Sequence, residues 1–188
     1  ISRGLVGSEM CIRDRPGLGS NSREMLMEQS VKPYMMPPRK AGQKEQADSY
    51  ALAACLEFYQ NFRKNYKVNL SPDYINLNLQ QRENPDLRNG FAFLINDGTV
   101  SAAIMPYEAE HIPAAVFATQ KFKINNYLHI FRTAMKGRHK VFETKKALMR
   151  GNPVIFEMQV PADFDKLEDS KFWLRGNAKP AEMHTFVV

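Results

Sequence analysis

Few side chains in this sequence have both the type and the setting for chemistry. Ser49 stands at the start of a helix-forming stretch. Gln43 lies six residues before it, and His184 follows 135 residues later at the head of an apolar run. A serine hydroxyl is a weak nucleophile that needs a base to take its proton during attack, and an imidazole can serve as that base. Taken singly, each residue has a plainer reading. Ser49 is a type favoured at helix starts for capping, His184 is a structural histidine, and Gln43 is a solvated loop residue. His111, His129 and His139 have no partner that spacing can name. Cys55 falls on the apolar face of the helix, nearly two turns from its positive end, so it reads as a buried hydrophobe rather than a reactive thiolate. The carboxylates Asp163, Asp165, Glu168 and Asp169 could hold a cation weakly, but their spacing fits no calcium loop. No zinc spacing, phosphate loop or dinucleotide fingerprint occurs, so no cofactor or metal is expected.

The elements that must position these groups follow from periodicity. Leu52, Cys55, Leu56, Tyr59 and Phe62 recur at helical spacing and predict a helix from Ala51 to about Lys64, with Asp48 as its N-cap. Ser71-Pro72 starts a second helix. Gln80–Arg88 is polar and loop-like, Gly90–Asn96 is helical, and Asp97-Gly98 ends it. His111–Gln120 is helix or loop around Pro113, and Lys123–Phe131 is β-like. Phe142–Arg150 is a short amphipathic helix with Phe142, Leu148 and Met149 inward, closed by Gly151. Val154–Val160 is a strand, Asp163–Pro180 a charged loop anchored by Trp173, and Glu182–Val188 a second strand.

The chain has 188 residues, 44% hydrophobic and 24% charged, which suits one globular domain. No run of ~18 apolar residues is present to span a membrane. The net charge is +6, with a cluster at Lys136, Arg138, Lys140, Lys145, Lys146 and Arg150 that reads as a solvated face rather than a nucleic-acid site. Two cysteines, Cys11 and Cys55, give no disulfide framework, which suits the cytosol without excluding export.

Gln46-Ala47-Asp48-Ser49-Tyr50 resembles the C-G-[SA]-C-[WY] signature of papain-like cysteine peptidases. Tyr50 fits the aromatic, and both cysteines are replaced. Around it, Gln43, the Leu70-Ser71-Pro72 start, the Gly98–Tyr107 segment and Gly151-Asn152-Pro153-Val154 are similar, in order, to segments of bacterial members of that family. The 135-residue step from Ser49 to His184 lies within the ~130–150 residues of the papain type. The resemblance implies a papain-like α+β fold, with a helical half around a long central helix and an incomplete antiparallel β half. It implies Ser49 at the nucleophile position, His184 at the general-base position and Gln43 at the oxyanion hole, with an extended peptide or protein substrate in the cleft. It implies neither a nucleic-acid nor a membrane partner.

Within the resemblance, four departures bear on activity. A hydroxyl replaces a thiol at Ser49, and Asp48 sets a carboxylate beside it. Lys44 and Ala47 stand where the family uses glycines. The Asn-Ser-Trp-Gly segment that orients the family's histidine falls beyond Val188. The expected function is therefore a catalytically impaired, peptide-binding member. The alternatives are an active hydrolase using a Ser49–His184 pair and a non-catalytic interaction domain. Residues 1–15 resemble translated sequencing-adapter peptides and read as a non-native leader. Residues 16–42 read as an extended N-terminal segment, and 43–188 as the papain-like domain, truncated at its C-terminus.

Overall fold

The computed structural model describes residues 32–39, 41, 46–64, 67–81, 86–161, 164 and 180–188. The predicted leader with Cys11, residues 16–31 of the extended segment, Gln43, Lys44 and Trp173 lie outside the described residues. So do all four carboxylates of the 163–180 loop.

Helix α1, Ala47–Lys64, is the element around which the others pack. The predicted stripe is in place: Leu52, Cys55, Leu56 and Tyr59 are buried, and Phe62 packs against the same core. The helix begins one turn earlier than predicted. Nothing between Gln46 and Ala51 breaks a helix, and Asp48 sits inside the first turn, where its carboxylate opposes the positive helix end. Ala51, Ala53, Glu57, Phe58 and Asn61 are also buried, so α1 is enclosed on most of its circumference. Phe58 and Phe62 stack with centroids 5.8 Å apart, and Tyr34 meets both rings edge-on.

Helix α2, Pro72–Gln80, starts as predicted: the Ser71 hydroxyl accepts the Tyr74 amide at 3.2 Å, with Pro72 in the first turn. Helix α3, Leu87–Asn96, begins three residues before the predicted Gly90, because the Asp86 carboxylate caps the Asn89 amide at 2.7 Å. It ends at Gly98, whose φ is +80°. The predicted helix-or-loop around Pro113 is a 3-10 turn, Ala114–Ala118.

Two expectations fail. Lys123–Phe131 is not a strand: only Phe122, just before it, forms a bridge, with Thr99. The Asn126 side chain accepts the Tyr127 amide at 2.8 Å, and the Tyr127 ring stacks on Phe91 at 4.5 Å. Ile124 joins the core and Tyr127 packs on α3, and among the described residues no strand lies alongside to pair with. Helix α4, Gly137–Met149, is longer than predicted and buries no residue; Phe142 (61% exposed) and Met149 (64%) face outward. No described element covers that face, and along the helix a Glu143–Lys146 ion pair at 2.8 Å adds only about 0.2–0.5 kcal/mol. At its C-terminal turn Gly151, φ +74°, donates to Leu148 and Asn152 donates to Ala147, which satisfies the last carbonyls.

Strands β1, Ile155–Pro161, and β2, Pro180–Val187, match the two predicted strands and pair antiparallel, with Phe156 opposite Phe186 and Met158 opposite His184. The fold is α+β: a helical core with a two-stranded sheet against α1. Among the described residues no helix is long and apolar enough to cross a membrane.

Gly98→Ala tests the α3 terminus. A Cβ there would lie 2.5 Å from the Phe122 carbonyl oxygen, at a φ that L-residues avoid. The variant is expected to lose about 2 kcal/mol or more of unfolding free energy in urea titration.

Candidate site beside the central helix

The site is built where β2 lies along the N-terminal half of α1. Thr185 donates its hydroxyl to the Asp48 carboxylate, joining residues 137 apart in sequence. Beside this contact runs a groove of about 920 Å³. Its walls are the Met35–Arg39 segment, the small side chains Ala47, Ala51 and Ala54 of α1, and residues 185–188.

A buried ion pair forms its floor. Glu57, 1% exposed, takes the Arg39 guanidinium on one carboxylate oxygen at 2.6 Å and the Leu70 amide on the other at 2.7 Å. Arg39 also donates to the Tyr107 hydroxyl and reaches the Leu70 carbonyl at 3.5 Å. Burial pushes the Glu57 carboxyl above its ordinary value, and the Leu70 amide and Arg39 pull it part of the way back. A second buried carboxylate, Asp73, accepts the Glu108 amide at 2.9 Å and holds Glu108 at φ +63°; burial raises it too. Tyr50, on the groove wall, is raised by burial and then by the Asp73 charge. On the sheet, burial raises Glu157, and the Asp48 and Asp86 carboxylates add to the shift.

Ser49 is 1% exposed and shares the core side of α1 with Leu52, Ala53 and Leu56, whereas the groove lies along the Ala47, Ala51 and Ala54 side. His184 is half-buried. Side chains alternate across β2, so with Thr185 turned to α1, His184 points to the opposite face. There its ring lies 6.1 Å from Phe186 and 6.0 Å from Phe164. Thus the structure brings together the chain neighbours of the two predicted residues, Asp48 and Thr185. The hydrogen bonds among the described residues include none between Ser49 and His184. Cys55 is buried as expected, and burial pushes its thiol up to about 12, far from a thiolate at neutral pH. His111, His129 and His139 are exposed, as are Lys136, Arg138, Lys145 and Arg150 of the basic cluster. No cluster of three metal-ligating side chains forms among the described residues.

The Arg39–Glu57 pair escaped the sequence reading, although a signal was present. From Ala51 to Tyr59, Glu57 is the only charged residue. A helix stretch apolar on most sides is buried, so a carboxylate within it requires a cation and a donor.

Three outcomes follow from this geometry. Glu57→Ala leaves Arg39, only 18% exposed, without its carboxylate, and is expected to cost about 3 kcal/mol of stability. Glu57→Gln retains an acceptor for the Leu70 amide and costs less. The pH dependence has a definite sign. The folded carboxyl lies above its ordinary 4.5, so the folded chain binds the proton more tightly than the unfolded chain. The stability this confers is fully present below about 4.5 and is lost as pH rises through the folded value. Urea titrations across this range should show a falling curve that is flatter in Glu57→Gln. Finally, Thr185→Val removes the tie between α1 and β2, and is expected to cost about 1 kcal/mol and to raise amide exchange across the sheet.

Compared with family models and with curated proteins, the chain matches none.

Proposed function

We propose that this chain is a papain-like peptidase-family domain that no longer hydrolyses peptide bonds and uses its groove to bind an extended peptide. The observation that carries the loss of chemistry is the placement of Ser49. Its hydroxyl lies on the core side of α1, away from the groove. A nucleophile must reach both its base and the substrate carbonyl, and His184 faces the aromatic side of the sheet. Cys55 does not replace it, because its thiol is buried and strongly protonated.

Family membership rests on the resemblance in motif order together with one spatial relation. The Asp48–Thr185 hydrogen bond sets the start of α1 against the strand that carries His184, where the resemblance requires the two positions to meet. Peptide binding is supported by the shape and lining of the groove. Met35, Met36, Pro37, Pro38 and the α1 alanines offer an apolar wall, and the Arg39–Glu57 pair and Tyr50 offer polar groups beside it.

The test is turnover and binding on a mixed peptide library with the wild-type protein, Ser49→Cys and His184→Ala. The expected outcome is peptide binding without turnover in all three. Wild-type turnover that disappears in His184→Ala would establish a serine hydrolase and overturn the proposal. Turnover by Ser49→Cys alone would show that the serine, rather than the placement of its side chain, silences the site.

A further inference from the structure

One wall of the groove is a continuous run of the chain's last residues. Four consecutive residues, Thr185 to Val188, line it. Side chains alternate across a strand, so a face would contribute every second residue, whereas an edge contributes all of them. The ladder identifies the edge. Val154 and Val188 exchange both of their hydrogen bonds, each at 2.9 Å, so 154/188 is a hydrogen-bonded pair of the antiparallel ladder. The pairing then alternates. Phe186 and His184 aim their amides and carbonyls at β1, and Val187 and Thr185 aim theirs outward. The described sheet contains β1 and β2 alone, so the outward groups of Thr185 and Val187 meet no strand among the described residues.

We propose that the occupant of the groove is an extended polypeptide segment that adds as a third strand along β2. Its main chain would pair with the outward N–H and C=O groups of Thr185 and Val187. Two donor–acceptor sets, two residues apart on one strand, match the repeat of another extended backbone. The segment's alternate side chains would fall against Ala47, Ala51 and Ala54, where only small wall residues leave room for them. The occupant class is therefore a β-compatible peptide with apolar residues at every second position, selected by backbone geometry more than by one specificity pocket. This inference rests on the peptide-binding reading and adds the mode of binding to it.

The probe is a fluorescein-labelled heptapeptide, Lys-Thr-Val-Thr-Val-Thr-Lys, measured by anisotropy. Two N-methylated versions accompany it, one methylated at the valines and one at the threonines. Strand addition requires that at least one version bind tenfold or more weakly. It also requires that Thr185 and Val187 amides gain exchange protection in the complex. Val187→Pro removes an outward N–H and leaves the β1 hydrogen bonds intact; it should weaken binding at least tenfold at an unchanged melting temperature. Should that variant not fold, the methylated peptides and the exchange data decide. Ala54→Arg fills the groove and should abolish binding in any mode.

Equal binding of all three peptides, lost only in Ala54→Arg, would overturn strand addition while leaving the groove as the peptide site. Failure of this probe and of the mixed library to bind at all would overturn both. A concentration-dependent dimer that protects the same two amides would overturn the inference in favour of a second copy of the chain.

Discussion

The structure depends on one carboxylate. Glu57 sits inside a helix whose neighbours are Leu56 and Phe58, at a depth where an unpaired charge costs several kcal/mol. The chain meets that requirement with two partners from different directions. Arg39 comes from the segment before α1, and the Leu70 amide comes from the connection to α2. Asn61, one turn further along, repeats the device with weaker groups: it accepts the Val68 amide at 2.7 Å and donates to the Tyr34 carbonyl at 3.1 Å. The preceding and following segments are thereby fixed to the same helix by side chains that cannot be left unsatisfied. Apolar packing supplies most of the cohesion, and these polar contacts set which segment lies where.

This arrangement shapes the groove. Arg39 must turn inward to reach Glu57, which holds the Met35–Arg39 segment alongside α1 and makes it a wall. Pro37 and Pro38 keep that wall extended and remove two backbone donors from it. Across the gap, the Asp48–Thr185 contact sets the distance of β2 from the helix. The groove is thus bounded on both sides by contacts to charged side chains and lined in the middle by alanines.

Much of this was legible in the sequence where local rules decide. The apolar stripe of α1, the Ser71-Pro72 start, Gly98 and Gly151 as helix stops, and both strands follow from periodicity and capping. The reading failed where a partner decides. Residues 123–131 have strand-forming types but turn Ile124 into the core and Tyr127 onto α3 instead, and Phe142 and Met149 have a helical pattern without a surface to meet among the described residues. At the candidate site, the sequence separation of Ser49 and His184 fixed their elements but not their faces. One residue along the helix turns a side chain by about 100°, one of register on the strand reverses it, and a spacing of 135 residues carries no information about either. The hydrogen bond that does join the two elements runs between their chain neighbours, Asp48 and Thr185.

The long reach of that pair has a kinetic meaning. The contacts Glu57–Leu70 and Asn61–Val68 close loops of 13 and 7 residues, whereas Tyr59–Asn152 and Asp48–Thr185 span 93 and 137. Closing a longer loop costs about 0.6 kcal/mol more for each doubling of its length, before any contact rewards it. The helical core can therefore assemble from near neighbours, and docking of the sheet carries the larger entropic cost. The groove, which needs both, exists only where that long-range contact has closed.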